Sequence, residues 1–451
     1  GARIFGISQM NETQNQIAHQ PFKHTNTYDS LPESKYSMCH IREGHSCMKT
    51  KQKQRNKIKH TPKAPSLTFL LMATMTGIFA TNLYLPSLAN ISSDLNASSQ
   101  SVQLTLTVFL FSFGIFQLIH GPLSDQIGRK KVMILGLLIF IVASFGAALA
   151  DSINFLIAMR VLQAVGGSTG MVIARAMVRD VYERDESAKI MAYVGMGSGV
   201  SAAAAPLIGG ILQDLTGDWR WGFYSLTIFG IIPLIIIIFL VEETFTPTNK
   251  KKNPITNAAS GFQALLKSKN YLLYTFGSGT LNSCFFSFAA AAPFILNNLI
   301  DSSASRIGII LLYISLGFLA GNLLSTKLNK KLSLEKIVLV GITFCFIGIL
   351  LFLILAFFHF YNEEVISIPM TIYGFGSGLV IPTAGVIAVS VDKNIIGTGS
   401  ALYGFNIFIM GAFSTLISSF ILHENQIPVS IMMIFFVSIA TICFYLGYKN
   451  K

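Results

Sequence analysis

GPLSDQIGRKK, residues 121–131, decides how the whole chain is read. It separates two apolar runs, 102–120 and 132–150, each near the roughly 20 residues that a helix needs to cross a bilayer. Its chemistry is that of a short link at a membrane surface. Asp125 stands near Arg129, Lys130 and Lys131, while Gly121 and Gly128 permit a tight turn and a close approach of the flanking helices. Asp125 can pair with Arg129 or sit at the positive N-terminal end of a neighbouring helix. Such a pair can hold one conformer and break in another, so the segment reads as a latch. A plain basic turn explains Arg129 to Lys131 but not the Gly-x-x-x-Asp-x-x-Gly-Arg spacing.

Outward from this link the same alternation recurs. Apolar runs fall at 67–90, 102–120, 132–150, 154–175, 189–212 and 221–241, and again at 271–297, 305–325, 336–358, 366–389, 398–421 and 429–447. Only helices or closed barrels satisfy their backbone in lipid, and these runs are too long and too uniformly apolar for barrel strands. The expected fold is therefore an all-α membrane protein of twelve transmembrane helices. It is organised as a polar, disordered cytoplasmic segment (1–64), a six-helix half (65–241), a cytoplasmic central loop (242–268) and a second six-helix half (269–451). Composition agrees. Of 451 residues, 52% are hydrophobic and 12% charged, too apolar for a set of soluble domains. Residue 1 is glycine and Met48 opens a short basic lead, so residues 1–47 read as a disordered extension or a mis-assigned start.

The net charge of +12 is a topology signal. With both termini cytoplasmic, 25 Lys and Arg residues fall on the inner side of the spans and only Arg220 and Arg306 on the outer. Nucleic-acid binding by the basic stretch 49–63 is not needed to explain it. Five cysteines without a CxxC pair indicate neither a zinc site nor a disulfide framework. The eight histidines are scattered and no GxxxxGK[ST] loop occurs, so no enzyme, cofactor or ATP hydrolysis is expected. Transport by such a chain is secondary.

A repeat is visible 200 residues on. GNLLSTKLNKK (321–331) keeps the leading glycine and trailing lysines of 121–131 but loses the aspartate and the second glycine. Two pseudo-symmetric six-helix halves place a substrate site between them, near the midplane.

GPLSDQIGRKK resembles the signature loop of the major facilitator superfamily. TNLYLPSL (81–88), RVLQAVGGS (160–168), ARAMVRD (174–180), GSGVSAAAAPLIGG (197–210) and IPTAGVIAVS (381–390) are similar to segments of its Bcr/CflA group of bacterial drug exporters. The resemblance covers about residues 66–450. It implies a monomeric multi-pass exporter in the bacterial inner membrane, moving small amphipathic compounds by alternating access with the proton as coupling ion. The segment 197–210 resembles the fifth-helix motif of antiporters, with Gly199, Pro206, Gly209 and Gly210 in a flexing helix; tight packing explains the same residues.

Arg160 lies within apolar sequence and must face the bundle interior or a wet cavity. The resemblance assigns it to proton coupling, and a structural arginine bonded to carbonyls is the plainer alternative. Arg175, nearer the inner end, can simply snorkel. The family commonly carries an acid in its first helix where this chain has Asn82, which cannot titrate. None of the 17 Asp and Glu residues after Ser66 falls mid-span. Proton coupling is the less secure for it, and His120 is a possible titrating group or simply an interfacial histidine. Candidate substrate contacts are Asn82, Tyr84, Gln117, Arg160, Gln163, Asn282, Phe285, Phe286 and Phe288, a set of aromatics and amides that suits neutral, zwitterionic or anionic compounds. Each phenylalanine serves equally as core or lipid contact. An uncoupled facilitator or narrow metabolite carrier, and more remotely a receptor or scaffold, stay open as functions.

Overall fold

The computed structural model describes residues 63–245, 261–360, 362–391, 395–421 and 425–450. The polar leader and most of the expected central loop lie outside the described residues. Among the described residues there is no strand, and twelve helical spans are long and apolar enough to cross a membrane.

Serine or asparagine opens many of the spans. Ser66, Ser98, Ser152, Ser268, Ser303 and Asn362 each accept a hydrogen bond from the backbone N–H three residues on, covering one of the N–H groups that a helix start leaves unpaired. The first span is broken. Helix α1 (Leu67–Asn82) gives way to a 3-10 turn at Leu85–Ser87 before α2 (Leu88–Asp94). Pro86 is the cause, because it has no N–H with which to continue the ladder.

The remaining helices of the first half are α3 (Ser99–Ile127), α4 (Arg129–Ala148), α5 (Ile153–Val181), α6 (Arg184–Thr216) and α7 (Arg220–Leu240). The second half holds α8 (Lys269–Ile300), α9 (Ala304–Leu328), α10 (Leu334–Phe357), α11 (Glu363–Val389), α12 (Ile396–Ser419) and α13 (Ile427–Lys449).

The link at 121–131 corrects the expected turn. Helix α3 runs through Gly121 and Pro122 to Ile127, and the chain reverses only at Gly128, whose φ is 103°. A proline removes a single helical bond, and the bonds on either side carry the helix onward. Gly121 is not a close approach either. A Cβ there would meet nothing nearer than Val172 Cγ1 at 3.9 Å. Gly128 is the position that needs glycine, both for its backbone angle and because a Cβ would strike the Glu243 carboxylate.

The two halves repeat one another. In the first, α4 packs on α5 and α7, α3 on α5, and α1 on α5, α6 and α7. Each pairing recurs six spans later, as α10 on α11 and α13, α9 on α11, and α8 on α11, α12 and α13. The halves meet along two symmetry-matched seams, α3 with α12 and α6 with α9. Lipid supplies little hydrophobic drive between helices, so these seams depend on close fit. On the α6–α9 seam, Gly210 lies against the Ala304 carbonyl and Gly308 against that of Pro206, with no room for a Cβ at either glycine. Gly209 lies equally close to the Leu83 carbonyl, where the first span breaks.

Helix direction puts Lys130, Lys131, Arg179, Lys189, Lys267, Lys327 and Lys331 at one end of the bundle, the basic end, and Arg220 and Arg306 at the other.

Candidate functional site

At the basic end, Arg129 organises a cluster. Its guanidinium is 2.5 Å from Asp125, four residues before it across the Gly128 reversal, and 2.9 Å from Asp180 on α5. It also donates to Ser124 Oγ at 2.5 Å and lies 4.8 Å from the centre of the Phe245 ring. Its residue is 6% exposed, so the charge-assisted bonds operate away from bulk water. Glu243 accepts from the backbone N–H groups of Arg129 (2.9 Å) and Lys130 (3.1 Å), at the positive start of α4. The acid at that helix terminus is thus Glu243, whereas Asp125 takes the ion pair. Lys130 Nζ donates to the Ile238 carbonyl at 3.1 Å. The cluster ties α3, α4, α5 and the segment after α7 into one body, all within the first half. Asp180, Glu243 and Phe245 carry it with Asp125 and Arg129, and sequence reasoning did not assign them. Beside the cluster, burial, with Glu186 nearby, pushes the Tyr182 phenol up from its ordinary value, and it donates to the Pro65 carbonyl at 2.9 Å.

A second buried cation sits deeper. Arg160 is 0% exposed. It donates to the Ala80 carbonyl (2.8 Å) and Gln163 Oε1 (2.5 Å), and the rings of Tyr84 and Phe109 stack 4.1 and 4.0 Å from it. Gln163 passes the network to Ser144 (2.8 Å), and Tyr84 meets Thr105 (3.3 Å). Asn82 is turned back on its own helix, donating to the Ile78 carbonyl at 2.9 Å. These four side chains are sealed inside the first half, and none lines either cavity described below. Arg160, Asn82, Tyr84 and Gln163, expected as cavity residues, are thus buried away from both cavities in this structure. The rings of Tyr84, Phe109 and Phe223 close over the guanidinium; Nη1 makes both hydrogen bonds, while Nε and Nη2 have no hydrogen-bond partner among the described residues and are met by π-faces alone. His120 is likewise enclosed, between Ser168 Oγ (3.2 Å) and Thr169 Oγ1 (3.4 Å).

Two cavities occupy the space between the halves. The first, about 270 Å³, lies near mid-span between α6 and the second-half helices α8, α9 and α11. Asn282, Phe285, Phe318, Asn322, Tyr373 and Ser377 supply its character, with Gly195, Ser198, Gly199 and Ala202 forming the α6 wall. Among the described residues no charged side chain lines it. The second cavity, about 390 Å³, lies at the basic end between α3, α5, α6 and the start of α12. Gln117, Arg175 and Arg179 line it, with Gly397 and Ser400 opposite. Gly195 borders both, and a Cβ there would meet nothing within 4 Å.

Of the expected contacts, Asn282 and Phe285 therefore face the mid-span cavity and Gln117 and Arg175 the basic-end one. Phe286 instead packs on Gly411 of α12, and Phe288 against Phe352. Gly199 of the α6 motif faces the mid-span cavity.

The opposite end is closed over these cavities. Asp214 accepts from the backbone N–H groups of Ala304 (3.1 Å) and Ser305 (2.9 Å), so the end of α6 caps the start of α9. Across the other seam, Thr107 and Thr415 hydrogen-bond at 2.9 Å and the rings of Phe113 and Phe408 lie 4.5 Å apart.

A family model described as the Major Facilitator Superfamily matches residues 70–415. Multidrug resistance protein D of Escherichia coli is 27% identical over 341 residues, 75% of this chain and 84% of that protein. A bicyclomycin resistance protein homolog of Haemophilus influenzae is 25% identical over 287 residues, 62% of this chain and 72% of that protein. Among solved structures, a bacterial homolog of the human lysosomal transporter Spinster, in an inward-facing and occupied conformation, superposes with a TM-score of 0.65 at 15% identity. That match covers 85% of this chain and 96% of the other.

Proposed function

Because the chain belongs to the Major Facilitator Superfamily, and so is a multi-pass membrane transporter, we propose that it exports small amphipathic compounds from a bacterial cytoplasm across the inner membrane. In this reading both termini and the basic end face the cytoplasm, as the Lys and Arg distribution requires. Cargo enters the basic-end cavity, passes Gly195, and rests in the mid-span cavity. Release follows when the α6–α9 and α3–α12 seams open at the far end. The drug-resistance names of the relatives support the outward direction.

One observation carries the proposal. A cavity of aromatic rings and amides, without a charged group, lies between the halves near mid-span while the far end is closed. A small amphipathic molecule there gains apolar contact and a few hydrogen bonds without meeting a desolvated charge. The Arg129 cluster holds the first half together at the entrance, and breaking its pair with Asp125 is the step we assign to the change of conformer.

Proton antiport is the coupling proposed. The uncoupled facilitator is the second reading, and it is favoured by the absence of any carboxylate from the described lining of either cavity. The test is accumulation of neutral, anionic and cationic drugs in a pump-deficient bacterium expressing the chain, with and without a proton uncoupler. Lower accumulation that the uncoupler abolishes supports energised export. Faster equilibration that the uncoupler leaves unchanged supports the facilitator. Unchanged accumulation and equilibration, with the protein in the membrane, refutes both.

A further inference from the structure

The basic-end cavity has a charge pattern that nothing in the fold uses. Arg175 and Arg179 stand one helical turn apart on α5 and both line it. Among the described residues neither has an ion pair or a hydrogen bond, unlike Arg129 and Arg160 in the same half. No Asp or Glu is among its described lining residues. Arg175 is half-buried and Arg179 is exposed at the cavity's edge, and two like charges one turn apart repel.

The opposite wall adds to the same field. It is the first turn of α12, whose start carries no side-chain cap among the described residues. The Arg179 guanidinium lies against that turn, 3.1 Å from where a Cβ on Gly397 would be. The uncapped N–H groups of a helix start present partial positive charge to the cavity. Gln117 borders the same cavity, but it is only 4% exposed and its amide packs against Gly404 of α12.

We infer that this cavity is a binding site for an organic anion: a carboxylate or phosphate held between Arg175, Arg179 and the start of α12. Guanidinium forks suit such groups. The inference deepens the export reading and rests on it for one point only, that the bound anion is cargo. The same chemistry is offered by the headgroup of an anionic lipid in the cytoplasmic leaflet. Arg160 plays no part, being sealed away from the cavity.

The test measures binding rather than transport, so its failure and that of the export reading are distinguishable. The full chain in phosphatidylcholine nanodiscs is titrated calorimetrically with three probes sharing one body: 4-phenylbutyrate, 4-phenylbutanol and 4-phenylbutylammonium. The carboxylate is expected to bind roughly tenfold or more tighter than the alcohol, and the amine more weakly still. Arg175→Gln with Arg179→Gln removes the preference while alcohol binding persists, which also shows that the variant is folded. Should that pair fail to fold, Ser400→Glu, which places an acid in the cavity from the other half, removes the preference independently. Equal binding of the three probes, no binding of any, or a preference that survives these changes overturns the inference. Repeating the titration with phosphatidylglycerol in the nanodisc identifies the natural source of the anion. Weaker binding of the carboxylate but not of the alcohol supports the lipid headgroup as occupant, and undiminished binding supports a soluble anion.

Discussion

The links at 121–131 and 321–331 occupy equivalent places in the two halves, and they are built on different physics. In the first, α3 ends at Ile127, Gly128 reverses the chain at positive φ, and Arg129 gathers Asp125 and Asp180 while Glu243 covers the start of α4. In the second, α9 ends at Leu328 and the equivalent positions hold Ser325, Leu328 and Asn329. The Ser325 hydroxyl only donates back to the Asn322 carbonyl at 2.8 Å. The conserved-looking glycines also do opposite work. Gly121 has room around it, whereas a Cβ on Gly321 would run into the Phe375 carbonyl of α11. A repeat can therefore preserve helix length and basic flanks, which membrane topology demands, while the packing and chemistry of its copies separate.

The comparison is most easily broken at Arg129. Arg129→Ala strands Asp125 and Asp180 beside a half-buried helix end, and a loss of about 3 kcal/mol of stability is expected, with export activity falling along with it. Asn329→Ala, its counterpart, is expected to stay within about 0.5 kcal/mol. Thermal unfolding in detergent and drug accumulation in cells give both readings, and equal losses at the two sites would show that the links are alike after all.

The glycines come next. Gly321→Ala forces α9 away from α11 and should cost about 2 kcal/mol, whereas Gly121→Ala, in open helix, is expected to be neutral or slightly stabilising. A reversed order in the unfolding temperatures would refute the packing argument. A smaller effect is expected from Asp125→Asn, because Arg129 keeps Asp180; about 1 kcal/mol is the expected stability loss. Its stronger consequence is functional. If flux through the Asp125→Asn variant equals that of the parent, the latch reading fails. Smallest of all, Lys131→Gln or Lys331→Gln should leave stability within about 0.5 kcal/mol, since one charge among so many does not set topology. Reporter fusions at the C-terminus check that the orientation is unchanged.

Much of this architecture was legible in the chain. Run lengths marked the twelve spans, and the Gly-x-x-x-Asp-x-x-Gly-Arg spacing marked Gly128 and the Asp125–Arg129 pair, whose members are only four residues apart; the serine caps at many span starts went unread. Partners at long range were not legible. Asp180 reaches Arg129 from 51 residues away and Glu243 from 114, and acids at span ends looked like ordinary membrane-surface residues. The same distance effect governs Arg160, Tyr84 and Gln163, which the sequence offered as cavity residues and which line neither described cavity. An arginine in an apolar run has to face inward, but nothing in its own neighbourhood says whether inward means a cavity or a closed nest of rings.

What the sequence by itself determined is the set of facts that depend on transfer between water and lipid: how many spans, how long, and which ends carry the basic residues. Each follows from the residues of one segment, because the bilayer acts on every helix separately. The tertiary structure alone decided which polar groups meet. It enclosed Arg160, left Arg175 and Arg179 facing a cavity whose described lining holds no acid, and gave Gly321 rather than Gly121 the tight contact. Those outcomes depend on the rotation and contact of helices far apart in the chain, and close packing resolves them at the scale of a single methyl group.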